Sequence, residues 1–306
     1  MRNKPYSSIE NIVIAADIGG SHITVAPIDI SLSQTVSEET FRVRVNSKGT
    51  REEILDAWLN ALETAFSSFD ERPDKLALAM PGPFDYENGI SFIRGLDKYE
   101  SLYDINIKEE LANTLNLSHK HVLFRNDAEA FLHGEVATGL VEMNNRVLGL
   151  TLGTGMGTAF SHVGKTTDLN LGSMTYETSI ADDFFTTRWF VKRYEALSGN
   201  KVANVEALSE LVEKDRAVEV LFEEYADGLS SFLADHIADL KIDTLVFGGN
   251  ISKASRLFLP QFSARLASLG ATPTIKMAQQ GEQSAMIGAA FLFKEIEGLY
   301  AHKIIA

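Results

Sequence analysis

The 306-residue sequence contains no cysteine. Disulfide bonds, thiolate catalysis, and zinc or iron–sulfur sites with cysteine ligands are therefore excluded. Basic residues are also scarce, with 28 Lys and Arg against 42 Asp and Glu, so the formal net charge is −14. This charge repels the phosphates of nucleic acids and anionic lipid surfaces, and we expect neither as a partner.

Long apolar runs and targeting segments are missing as well. The sequence has no stretch of about 18 uncharged apolar residues, the length that a membrane-spanning helix needs. Its first ten residues contain no apolar signal core. The seven histidines show no metal-ligand spacing, and no Pro-rich linker divides the chain. We therefore predict a cytoplasmic protein without a membrane segment.

The residues that are present predict an α/β protein. A hydrophobic content of 45% is enough for a large core, and 306 residues are enough for two domains. Apolar runs and alternating patterns predict strands at 11–17, 22–30, 39–45, 76–80, 122–124, 147–152, 157–163 and 244–247. Helical periodicity predicts helices at 50–69, 106–115, 126–140, across 182–240 with few breaks, after 252 and at 283–299.

Two glycine-rich turns each follow an apolar run. The first reads Asp-Ile-Gly-Gly-Ser at 17–21, and the second reads Gly-Thr-Gly-Met-Gly at 153–157. A strand that ends in glycines lets backbone N–H groups surround an anion, because no Cβ blocks the approach. Together they predict a polyphosphate site built from Gly19, Gly20, Ser21, Gly153, Thr154 and Gly155. Each turn taken alone also fits an ordinary hairpin.

The two strand–turn–strand units, near 12–30 and 147–163, indicate an internally duplicated fold. Asp17 ends the first strand beside the expected phosphates. A carboxylate there can hold Mg²⁺, usually through its waters, because Mg²⁺ shares its coordination shell with phosphate oxygens. An Asx turn is the structural alternative for this residue.

Five motifs in this order resemble the ROK family of sugar kinases, within the actin–hexokinase–heat-shock-70 superfamily. They are Asp-Ile-Gly-Gly-Ser at 17–21, Met-Pro-Gly-Pro at 80–83, Arg-Asn-Asp-Ala-Glu-Ala at 125–130, Gly-Thr-Gly-Met-Gly at 153–157 and Phe-Gly-Gly-Asn-Ile-Ser at 247–252. The resemblance covers nearly the whole chain. It implies a two-domain actin-like ATPase fold, a duplicated ribonuclease H-like fold whose mixed sheets are flanked by helices around a central cleft. We place the smaller domain at 1–122 with a C-terminal helix at about 290–306, and the larger domain at 123–289.

The resemblance also implies roles for individual residues. Asp127 would be the general base for a sugar hydroxyl, although Asn126 and Asp127 could equally cap a helix. The sugar-binding residues would be Asn126, Asp127, Gly82 and Glu177. The ATP-binding residues would be Asp17 (which also holds Mg²⁺), Gly19, Gly20, Ser21, Gly153, Thr154, Gly155, Gly248, Gly249 and Asn250. The last three could instead form a strand-to-helix turn.

One segment departs from the family pattern. Typical members have Gly-Glu-Ile-Gly-His followed by a cysteine cluster that binds structural zinc. This chain has Leu-Gly-Ser-Met-Thr-Tyr-Glu-Thr-Ser at 171–179 and no cysteine. Zinc of that type is excluded. Glu177 could replace the usual sugar-binding glutamate or be an ordinary exposed residue.

From these motifs we predict an ATP-dependent kinase for a hexose or an N-acyl amino sugar, with ATP and Mg²⁺ as cofactors. The resemblance implies a homodimer, for which 182–225 is a candidate contact. The alternative is a ROK-type sugar-binding or sugar-sensing protein that has lost turnover. A repressor is disfavoured because only about ten residues precede the first strand, and chaperone or filament ATPases of this fold are longer.

Overall fold

The structure, a computed structural model, describes residues 6–37 and 40–305, with side chains up to residue 298. Residues 1–5, 38, 39 and 306 lie outside this description, including the first residue of the predicted strand 39–45. The strands are β1 (Ile12–Ile18), β2 (His22–Asp29), β3 (Gln34–Thr35), β4 (Phe41–Arg44), β5 (Lys75–Met80), β6 (Phe84–Asp85), β7 (Ile90–Ser91), β8 (Val122–Asn126), β9 (Val147–Leu152), β10 (Met156–His162), β11 (Lys165–Asp168), β12 (Thr175–Tyr176), β13 (Ser179–Ile180), β14 (Thr244–Gly248) and β15 (Thr274–Met277). The helices are α1 (Arg51–Phe66), α2 (Ile107–Leu115), α3 (Asp127–Ala137), α4 (Thr187–Ser198), α5 (Val205–Ser209), α6 (Arg216–Asp239), α7 (Leu259–Ser268), α8 (Gln283–Ala290) and α9 (Leu292–Ile305).

The first compact unit comprises Met1–Leu140 and Glu282–Ala306. Its main sheet has the order β3-β2-β1-β5-β8, and β4 also pairs with β2. Strand β2 is antiparallel to both β1 and β4. Strands β1, β5 and β8 are parallel. Parallel strands end at the same edge of a sheet, so Asp17, Met80 and Asn126 lie along one edge.

Both faces of this sheet are buried. Helix α1 begins with a capping box between Thr50 and Glu53, and it packs against one face through a stripe that includes Trp58. Helix α8 covers the opposite face with a nearly continuous apolar surface, and α3 packs against α8. Burial of such side chains contributes about 1.5–3 kcal/mol each to folding.

Two glycines allow α3 and α8 to approach each other closely. A Cβ added at Gly134 would lie 1.9 Å from the carbonyl oxygen of Ser284. A Cβ added at Gly288 would lie 1.8 Å from the carbonyl oxygen of Ala130. Both positions therefore require glycine because backbone occupies the space that a side chain would need.

The second compact unit is the continuous segment Val141–Gly281. Its sheet has the order β11-β10-β9-β14-β15, in which β9 and β10 are antiparallel while β9, β14 and β15 are parallel. A hairpin at a glycine turn followed by parallel strands thus occurs in both units, as the predicted duplication requires. In the segment 184–190, Phe185 and Phe190 belong to the core of this unit.

The division between units differs from the predicted domains 1–122 and 123–289. Strand β8 pairs with β5 in the first sheet, and α3 packs on α8, so residues 122–140 belong to the first unit. The predicted helix 283–299 is two helices, α8 and α9, separated at Phe291. Among the described residues, each helix is too short or too polar to span a bilayer.

Candidate active site

The first glycine turn connects β1 to β2. Its backbone closes through a hydrogen bond from the N–H of Gly19 to the carbonyl of His22, at 2.9 Å. A Cβ added at Gly20 would meet no heavy atom within 4 Å, and both Gly20 and Ser21 are exposed. The Ser21 hydroxyl lies 2.9 Å from Nδ1 of His22. The turn therefore presents an accessible backbone, as an anion site needs.

A buried tyrosine fixes the orientation of this turn. The hydroxyl of Tyr99 donates to the carbonyl of Gly19. The C=O and N–H of a trans peptide point in opposite directions, so this bond also fixes the direction of the Gly20 N–H. Tyr99 itself has a φ of 56°, in the left-handed region that is costly for a bulky residue. The surrounding fold holds this strained residue in place.

Asp17 is half-buried at the end of β1. Burial raises the pKa of its carboxyl from 3.8 to about 7, and the negative charges of Asp127 and Glu282 add to this effect, while Arg42 opposes it. Burial also raises the pKa of Asp127. The structure therefore places the predicted metal-binding and base carboxyls within electrostatic range of each other.

The Asp17 carboxyl fits Mg²⁺ held mainly through water. Among the described residues, no cluster of three or more His, Asp or Glu side chains forms a complete metal site. Mg²⁺ commonly takes one or two carboxylates and completes its shell with water and phosphate, so a full protein cage is not needed.

Asn126 and Asp127 lie where β8 meets α3. Oδ1 of Asn126 accepts from the N–H groups of Ala128 and Glu129, at 2.9 and 3.0 Å, so Asn126 is the helix N-cap. Oδ1 of Asp127 accepts from the N–H of Ala128 at 2.8 Å. The predicted capping role is confirmed, and the Asp127 carboxylate still has lone pairs for a further hydrogen bond.

Arg125 directly precedes this pair in β8 and is almost fully buried. It donates to the carbonyl of Gly288 at 2.7 Å and to both oxygens of Glu295, at 2.6 and 2.7 Å. A bidentate pair of this kind is geometrically specific. Arg125 therefore connects the end of β8, next to Asp127, to α8 and α9.

Gly82 follows β5 in the same unit. A Cβ added there would lie 3.2 Å from the hydroxyl of Tyr86, which leaves little space for a side chain. Two charged residues further along this segment, Arg94 and Asp97, do not pair with each other. Arg94 lies over the ring of Tyr103, and Asp97 pairs with Lys48.

The second glycine turn connects β9 to β10 in the second unit. The N–H of Gly153 donates to the carbonyl of Gly155 at 3.1 Å, and Asp182 accepts from the N–H of Met156 at 2.6 Å. Thr154 and Gly155 are exposed. Thus the predicted hairpin and an accessible backbone occur at the same turn.

The structure brings the predicted adenosine segment next to this turn. Gly248 ends β14, and a Cβ added at Gly249 would lie 2.4 Å from the carbonyl oxygen of Leu152. Gly249 also has a φ of 82°, so glycine is needed here for two reasons. Asn250 begins a 3-10 helix without a side-chain capping bond and is exposed. Its side chain is therefore available to a ligand.

Glu177 belongs to the second unit and lies in the turn of the β12–β13 hairpin. Its φ is 48° and it is exposed. The preceding Tyr176 packs against Phe184, Phe185 and Phe232. Aromatic packing therefore holds this segment, which departs from the family pattern.

Tyr86, Tyr99 and Arg125 were not assigned roles from the sequence. Tyr99 bonds a residue 80 positions away, and Arg125 bonds one 163 positions away. The sequence around the two tyrosines contains no pattern that indicates their contacts. Arg125 does have such a pattern, because it is a charged residue within a buried strand and a buried charge needs a partner.

Comparison with known proteins places this arrangement in a family. The sequence profile described as the ROK family matches residues 13–168 and 177–296. An N-acetyl-D-glucosamine kinase from Histophilus somni is 25% identical over 313 residues, covering 90% of this chain and 97% of the relative. A glucokinase from Thermotoga maritima is 22% identical over 324 residues, covering 92% and 97%.

Solved structures have the same fold. A ROK family glucokinase from Streptomyces griseus, in complex with glucose and AMPPNP, gives a TM-score of 0.75 at 20% identity, covering 92% of this chain and 98% of that one. A ROK hexokinase from Thermus thermophilus gives a TM-score of 0.74 at 21% identity, covering 94% and 99%. The predicted actin-like ATPase fold class is confirmed. With a profile match across most of its length, this chain belongs to the ROK family.

Proposed function

We propose that the protein is an ATP-dependent sugar kinase that transfers the γ-phosphate to a hydroxyl of a hexose or an N-acyl amino sugar. The relatives named above as glucose and N-acetylglucosamine kinases support this reaction. The observation that carries the proposal is the placement of Asn126 and Asp127 at the strand edge that also holds Asp17. A sugar-binding pair and a metal-binding carboxylate are the parts that phosphoryl transfer to an alcohol needs.

In this proposal Asp127 holds the attacking hydroxyl and accepts its proton. A carboxylate in this role mainly orients the nucleophile, and its raised pKa makes it a better proton acceptor. Asn126 and the backbone at Gly82 hold the rest of the sugar. Mg²⁺, when bound near Asp17, neutralises phosphate charge.

The remaining predicted residues would bind the nucleotide. Gly19, Gly20 and Ser21 in one unit, and Gly153, Thr154 and Gly155 in the other, would bind phosphates. The segment 248–250 would pack against adenosine. We further propose that the enzyme acts in the cytoplasm as a homodimer.

The direct test is to mix the purified protein with Mg-ATP and a panel of hexoses, amino sugars and pentoses, and to follow ADP release. We expect turnover with at least one sugar. Asp127→Asn should lower kcat by about 10² to 10⁴ and leave ATP binding intact. Asp56→Asn, which removes an exposed carboxylate on α1, is the matched control. Full activity of Asp127→Asn would exclude its role as base.

A sugar-binding protein without turnover is the second candidate. It is favoured by the segment 171–179, which differs from the family pattern, and by the exposed position of Glu177 in a hairpin turn. Calorimetric sugar binding without ADP release from the folded protein would support this alternative over the kinase.

A further inference from the structure

The hydroxyl of Tyr86 lies between two groups of the candidate acceptor site. It donates to the main-chain carbonyl of Met80 at 3.0 Å. It also accepts from Nδ2 of Asn126 at 3.2 Å. Because a carbonyl can only accept, the hydroxyl proton points to Met80 and an oxygen lone pair faces Asn126.

The amide of Asn126 therefore has one possible orientation. Its oxygen faces two backbone N–H groups, those of Ala128 and Glu129, and both lone pairs are used. One hydrogen on Nδ2 is given to Tyr86. The second hydrogen meets no acceptor among the residues that the structure describes.

We propose that Tyr86 is a positioning residue that makes Asn126 solely a hydrogen-bond donor to the sugar. This inference rests on the proposed sugar kinase function. Asp127, as a carboxylate, can only accept. The pair thus selects a substrate with two neighbouring hydroxyls, one that accepts from Asn126 and one that donates to Asp127.

The surroundings of Tyr86 support this role. Its ring packs against Phe84 with a centroid distance of 5.3 Å, and Phe84 packs against Phe124 at 5.0 Å. Phe84 and Phe124 are buried, so the ring rests on a fixed surface. Glycine at position 82 leaves the space that the Tyr86 hydroxyl borders.

The kinetic test uses Tyr86→Phe, which removes only the hydroxyl. With N-acetylglucosamine and glucose as probes, we expect the sugar KM to rise about 3- to 10-fold, the loss of roughly one hydrogen bond. The KM for ATP and kcat should stay near the wild-type values. Tyr6→Phe, on an exposed tyrosine of the same unit, is the matched control.

A second variant tests whether Tyr86 acts through Asn126. Asn126→Ser keeps an N-cap oxygen but removes the amide nitrogen. If Tyr86 acts only by orienting that nitrogen, Tyr86→Phe should cause no further rise in sugar KM in the Asn126→Ser background. Selective ¹⁵N-asparagine labelling gives a readout without turnover. One side-chain proton of Asn126, assigned by Asn126→Ser, should shift in Tyr86→Phe.

The outcomes separate the two proposals. An equal rise in sugar KM in both backgrounds would show that Tyr86 contacts the sugar itself, and would overturn the inference. Parallel changes in both KM values, or an Asn126 signal that does not respond to Tyr86→Phe, would also overturn it. A wild-type protein without sugar turnover would overturn the proposed kinase, while the Asn126 signal would still decide whether Tyr86 orients the amide.

Discussion

At the scale of single residues, Asp17 shows how the fold changes the chemistry of a side chain. Its pKa rises from 3.8 to about 7, chiefly through burial. Between these values the folded protein keeps a proton that the unfolded chain has lost. The free energy of unfolding should therefore fall as the pH rises through this window, since the unfolded chain binds fewer protons there.

Asp17→Asn should remove this pH dependence. In buffer without Mg²⁺, we expect the free energy of unfolding of the variant, relative to that of the wild type, to increase by at most about 3 kcal/mol from pH 5 to pH 8. Urea unfolding at the two pH values measures the difference. Asp56→Asn, at an exposed position, controls for the loss of one charge. If the free energy of unfolding changed equally with pH in the wild type and in Asp17→Asn, the raised pKa of Asp17 would be contradicted.

The sequence was most informative for residues whose signal is local. Asn126 and Asp127 follow a buried strand and precede a helix, so their position could be predicted from neighbours. Tyr86 could not be predicted in this way, because its partner Asn126 is 40 positions away. Contacts between distant segments depend on the packing of the whole unit and leave no local pattern.

At the scale of secondary-structure elements, the contact between α3 and α8 depends on two glycines. Helical periodicity predicted both helices but not their close packing, since a glycine within a helical pattern does not by itself indicate that another backbone lies against it. The structure supplies the reason, because each glycine faces the backbone of the other helix.

Gly288→Ala should destabilise the protein strongly. Its Cβ would overlap the carbonyl of Ala130, so the helices must separate, and we expect a loss of about 3 kcal/mol or more. Gly298→Ala is the matched control, because a Cβ there meets no heavy atom within 4 Å and alanine favours a helix. Thermal unfolding of both variants measures the difference. Equal melting temperatures would show that the helices can separate without cost.

At the scale of the whole molecule, the chain forms two units with separate sheets. The strand–turn–strand repeat was visible in the sequence because it is local. The boundaries between the two units were not visible in the sequence. Strand β8 joins the first sheet by pairing with β5, and no linker-like composition marks the point where the first unit ends. Family resemblance gave the fold class, whereas the division at Leu140 follows from packing.

The two units should differ when expressed as fragments. Residues 141–281 contain a complete sheet and their own core, so we expect this fragment to fold alone. Residues 1–140 lack α8, and one face of the sheet would be exposed. We expect this fragment to fold only when a peptide of residues 282–306 is added. Circular dichroism and the dispersion of amide proton chemical shifts in NMR spectra measure whether each fragment is folded. Cooperative folding of 1–140 alone would contradict this expectation.

The return of the chain to the first unit at Glu282 has a consequence for synthesis on the ribosome. The segment that covers the first sheet is translated only after the whole of the second unit, Val141–Gly281. Until then, the nascent protein exposes an apolar sheet face that includes Val13, Ala15 and Ala77. The first unit is thus completed only after the second, and this is the interval in which a nascent chain is most exposed to aggregation and to capture by chaperones.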